Sequence, residues 1–184
     1  MRCAIVGPEG VVLEVIEADQ SWQVQLGQTL VAGARANVGD LYDPVNGGFT
    51  TPPRPLAERR AEAIAVIQAR RDALLARGAP YGGSLIDVSD KGRADLGGMA
   101  TTAILAMQGA LEWPESYARG WITQQNSRVT LPTPVAGIQL AAAVGNWYGA
   151  LIQFSRDAKD QMLASDDPDP TGIAWEAFEA SPQS

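Results

Sequence analysis

The chain has 184 residues, a net charge of −7, a single cysteine and no histidine. Without histidine there is no Ser-His-Asp triad, no Cys-His pair and no imidazole metal ligand. Cys3 alone makes neither an internal disulfide nor a thiolate zinc site, and the acidic balance argues against non-specific binding of nucleic acid. What remains is carboxylates, hydroxyls, Arg and two Lys, and no cofactor or metal is expected from them.

The 46% hydrophobic content suffices for one or two small domains. No apolar run of about 18 residues stands out, so no membrane insertion is expected. The N-terminus, MRCAIVGPEGVVLEV, lacks the long apolar region of a signal peptide.

Residues 1–50 read as a small antiparallel β domain suited to attachment. Ala4-Ile5-Val6 and the run Val11–Ile16 flank Pro8-Glu9-Gly10, a hairpin signal. Ser21–Leu26 fits one helical turn, and Thr29-Leu30-Val31 a further strand. Asn46-Gly47 between Tyr42 and Phe49 marks a tight turn, because both residues tolerate positive φ. Thr51-Pro52-Pro53-Arg54-Pro55, the 51–55 linker, is a semi-rigid spacer, since proline removes amide donors and extends the chain.

Residues 56–164 read as a mainly helical domain of three helices with an inserted β-hairpin, making the whole chain α+β. The first helix, 56–77, is rich in Ala, Leu, Arg and Glu, and Gly78 stops it. It lies between acidic regions: residues 163–184 hold five acids and no base. Its Arg side reads as a solvated face, with pairing to an acidic surface such as the chain's own tail as the alternative. Ala79–Val88 is a loop or short strand. Ser89 N-caps a second helix over about 90–110, whose Gly92, Gly97, Gly98 and Gly109 imply close approach of a neighbouring backbone.

Trp121-Ile122-Thr123 and Arg128–Leu131 flank a polar loop whose Gln124, Gln125 and Asn126 are candidate tip contacts. Thr133-Pro134 then starts a third helix to about 163, roughly 45 Å long. It carries two apolar stripes. One holds Val135, Ile138, Ala142, Gly145 and Ile152. The other holds Leu140, Val144, Trp147, Leu151 and Phe154 with a mean step of about 3.5 residues. The second stripe is either the remainder of the core or a coiled-coil-like interface between copies, the interface being expected because a lone helical hairpin could hardly cover it. Residues 165–184 read as an acidic flexible tail, with Ile173, Trp175 and Phe178 as a docking motif.

Asp87, Asp90 and Asp95 are better explained by the start of the second helix than by acid–base work. Asp166, Asp167 and Asp169 lack calcium-loop spacing, and the Gly-Gly pairs lack the Lys-Ser/Thr of a phosphate loop. Nothing assembles a nucleophile, a base and an oxyanion site, so no enzyme is expected.

The order AERRAEAIAVIQARRDALLARGAPYGG, then SDKGRADLGGMA, then GWITQQNSRVTLPTP before a long final helix, resembles the DUF4376 family over about 55–165. VGDLYDPVNGGFTTPPRP is similar to pieces that precede this domain in phage tail-fibre and tail-tip proteins. The resemblance implies a virion component at the fibre, tail tip or baseplate, made in the bacterial host cytoplasm and bound to other tail or baseplate proteins. It brings no catalytic residues, and an adaptor role calls for a permanent apolar interface between copies with threefold symmetry favoured. A fibre or adaptor role is expected, with a tail-fibre assembly chaperone as the alternative.

Overall fold

A computed structural model of the chain describes residues 1–19, 21–32 and 35–179. The chain divides into two compact units, Met1–Pro55 and Leu56–Ser184.

In the first unit β1 (Arg2–Val6) lies between β2 (Val12–Glu17) and β3 (Thr29–Ala32), antiparallel to both. As the central strand, β1 is buried from Cys3 to Val6. Ala4, Val6, Val12 and Ala36 make the small core, with Tyr42 and Phe49 against it. Those two aromatics sit on the hairpin of β4 (Leu41–Asp43) and β5 (Gly48–Thr50), with ring centroids 5.1 Å apart. Of the Asn46-Gly47 pair only Gly47 takes positive φ, +66°. Asp43 shapes the turn instead, accepting from the Val45 amide at 2.8 Å and from Asn46. The buried Asp40 accepts from the Asn37 amide at 2.8 Å and the Thr51 hydroxyl at 2.7 Å, tying the start of the proline segment to this unit.

The helical turn expected at Ser21–Leu26 does not form. The Asp19 carboxylate accepts from the Ser21 amide and hydroxyl, a local bond that competes with helix formation.

The second unit opens with α1 (Leu56–Arg77). Gly78 ends it at φ +93°, and a Cβ there would lie 2.6 Å from the Ile86 carbonyl, so the position takes only glycine. The hairpin β6 (Ala79–Tyr81) and β7 (Ser84–Ile86) leads to α2 (Asp90–Met107), capped by Ser89, whose hydroxyl accepts from the Gly92 amide at 3.1 Å. A short α3 (Glu115–Ala118), not evident in the sequence, precedes β8 (Trp121–Ile122) and β9 (Arg128–Val129). Next is α4 (Pro134–Ala164), capped by Thr133 with Pro134 in its first turn. A 3-10 turn at Pro170–Gly172 and α5 (Glu176–Glu179) complete the described chain.

Helices α2 and α4 pack antiparallel: Arg93 lies over the Tyr148 ring at 4.3 Å, and Gly137 leaves room for Met99 and Trp113. Ile86, Leu96, Met99, Leu131, Leu140 and Val144 form one core between them. A second core joins Ala63, Ile67 and Leu74 of α1 to Leu151, Ala158 and Met162 of α4, closed by Trp175.

The glycines of α2 divide. A Cβ at Gly92 would lie 2.6 Å from the Asp87 carbonyl, so close approach explains it. Gly97 and Gly98 meet nothing within 4 Å, contrary to the expectation of close packing.

Candidate functional site

The stripe expected to form an interface between copies is interior to this one. Leu140 and Leu151 are fully buried and Val144 is 2% exposed. Trp147 and Phe154 are covered by the chain's own C-terminus: Phe154 meets the Trp175 ring edge-on at 5.1 Å, and Phe178 packs on both Phe154 and Trp147. The interface assignment for these five residues is therefore corrected. Helices α1 and α2 alone would leave this stripe partly bare, and the tail supplies the missing cover.

Ile173, Trp175 and Phe178 dock on α1 and α4 of their own chain. Polar bonds hold the path to them. Arg59 pairs with Asp167 at 2.7 Å, and Arg60 donates to the Ser165 carbonyl at 2.8 Å. At the other end of α1, Arg70 pairs with the Glu179 carboxylate and Arg77 donates to the Glu179 carbonyl at 2.9 Å. The Arg face of α1 is thus a seat for the acidic tail rather than a purely solvated face, and residues 165–179 run against α1 and α4.

The hairpin tip is also committed. The Gln124 amide donates to the Leu85 carbonyl at 2.9 Å, and its side chain reaches the Ala76 carbonyl at 3.4 Å. The Gln125 side-chain oxygen accepts from the Leu85 amide at 3.1 Å. These two residues join the β8–β9 loop to β7 and the end of α1 while remaining exposed, so the tip is braced from behind. Asn126 is exposed and supplies the positive φ of the turn, +56°.

The carboxylates near α2 are occupied locally. Asp87 accepts from the Ser89 hydroxyl at 2.7 Å and amide at 2.8 Å, which holds its carboxyl below the usual carboxylate range. Asp90 pairs with Arg93 and Asp95 with Lys91. Asp87 and Asp95 border an open cleft of about 320 Å³ with Tyr117, Trp121 and Arg128. No group of three or more metal-ligating side chains is found among the described residues.

One extended surface remains. Gly97–Leu111, on α2 and the turn after it, and Pro134–Ser155 on α4 contain no charged residue. Helix α4 is long and apolar enough to cross a membrane by length and composition, against the expectation from the sequence, and only 22% of its most apolar window is buried. Along the seam between α2 and α4, Gly97, Ala141, Gly145 and Tyr148 line a cleft of about 300 Å³, with Arg93 at its edge over the Tyr148 ring. Beyond it Ile104 is 48% and Met107 57% exposed. The Thr101 hydroxyl donates to the Gly97 carbonyl at 2.9 Å, so this polar group is satisfied within its helix. The exposed stripe of α4 is the first one, with Val135, Ala142 and Gly145 open to solvent.

The second unit is thus a helical domain closed by its own tail, with an uncharged face across α2 and α4 left open to solvent. Residues 58–177 match the family described as Domain of unknown function (DUF4376), and the chain belongs to that family. Comparison with curated proteins and with solved structures finds no match.

Proposed function

We propose that the chain is a non-catalytic structural component of a tailed-phage virion, acting as fibre or adaptor at the tail fibre, tail tip or baseplate. The observation that carries an assembly role is the uncharged α2–α4 face. Soluble monomers rarely leave large contiguous apolar patches open, and such patches mark interaction sites. The phage setting rests on the resemblance of the helix, hairpin and long-helix order to a family of tail proteins. The local pairing of Asp87, Asp90 and Asp95 supports a scaffold over a catalyst, because each carboxylate is engaged by a neighbour in its own segment. In this reading the partners are other tail or baseplate proteins, with no nucleic acid and no membrane insertion. The protein is made in the host cytoplasm and ends in the virion.

Mass spectrometry of purified virions tests this. The chain is expected at stoichiometric level among the tail proteins. Presence in infected cells but absence from mature particles would overturn the structural role in favour of an assembly chaperone.

A further inference from the structure

We infer that the α2–α4 face binds the same face of a second copy of this chain, across a two-fold axis. This deepens the assembly reading above but does not depend on the virion setting. Three features point to a second copy.

The first is charge. An isologous interface sets residues beside their own equivalents around the axis, so a charged centre would repel itself. Here α2 carries no charge from Gly97 to its end at Met107 and α4 none from Pro134 to Ser155, and Arg93, at the edge of the cleft, is paired with Asp90. An acidic or basic partner finds nothing to pair with there.

The second is self-complementary relief. Gly97 and Gly145 meet nothing within 4 Å and line one cleft on the seam. Ile104 lies seven residues from Gly97, two helical turns along the same side of α2, and is 48% exposed. A two-fold axis passing by Ala100 and Thr101 sets Ile104 of each copy into the Gly97–Gly145 cleft of the other. Two antiparallel helices facing two others then complete a four-helix layer. A face two helices wide favours this twofold arrangement over the threefold one expected from the sequence, which would bring a single helix to the axis.

The third is size. The uncharged part of α2, Gly97–Met107, spans about 16 Å and that of α4, Pro134–Ser155, about 33 Å, which at about 10 Å width per helix gives on the order of 500 Å² in projection. Side-chain relief brings the accessible area toward the roughly 800 Å² per partner of a stable interface.

Sedimentation equilibrium of the full chain tests the proposal. The wild type is expected at twice the 19.5 kDa chain mass at micromolar concentration. Gly145→Glu and Ile104→Glu are each expected to run as monomers while keeping wild-type helical circular dichroism, since both positions are exposed. Gly97→Ala guards against misfolding as the cause: its Cβ meets open space, so the variant should keep wild-type helical circular dichroism yet self-associate more weakly. A monomeric wild type, or dimers that persist in folded Gly145→Glu, would overturn the inference. Flotation of the wild type with phosphatidylcholine vesicles would also overturn it, assigning the face to a bilayer. None of these outcomes bears on whether the chain is present in virions, so the two readings fail separately.

Discussion

At Gly120 the backbone turns at φ +106°, and a Cβ would stand 2.6 Å from the Val129 carbonyl. Only glycine allows β8 and β9 to close, so Gly120→Ala is expected to cost about 2–3 kcal/mol and to lower the melting temperature. Ser155 is the opposite case. Its hydroxyl is buried with no hydrogen-bond partner, so Ser155→Ala should raise stability by about 1 kcal/mol in urea unfolding. At Asp87 the Ser89 hydroxyl and amide bonds lower the carboxyl pKa in the folded chain. That contribution is complete above about pH 4, the unfolded value, and is lost as pH falls through the folded value. Asp87→Asn should therefore melt below wild type at neutral pH, with the gap closing in acid. Ser89, Gly78 and Thr133-Pro134 were legible in the sequence because caps and stops are chosen by neighbours within one helical turn. Gln124 and Gln125 were not, because their partners lie about 40 residues upstream.

Among the elements, α4 carries the clearest lesson. Its 31-residue span and start could be read locally, and so could its two stripes. Which stripe was covered could not, because that depends on where residues 165–179 return. A spacing of 3.5 residues is equally the seam of a coiled coil and the inner face of a helix in a monomer. Trp147→Asp and Leu151→Asp should consequently unfold the domain rather than dissociate copies, bringing a charge into a core that has nothing to pair with it. The tail is a structural element in the same sense. Trp175 is 9% exposed and closes the α1–α4 core, so Trp175→Ala is expected to cost about 3–5 kcal/mol. Adding salt should cost far less, since the Arg59 and Arg70 ion pairs are largely exposed and such pairs contribute little.

For the whole molecule, the proline segment was legible as a boundary because its composition alone rules out both helix and central strand. The fold of each unit was legible in outline, whereas the face left for a partner had to be read from what the chain covers by itself. The tail that hid the wrong stripe has one more consequence, for synthesis. The groups that clasp α1 lie 102 to 109 residues downstream of their Arg partners. Helix α1 therefore leaves the ribosome long before its cover exists, and the aromatic side of α4 stays bare until the last described residues are made. The domain can lock only once Trp175 and Phe178 have emerged, and a chain cut short before Trp175 carries its own sticky surface as a mark of incompleteness.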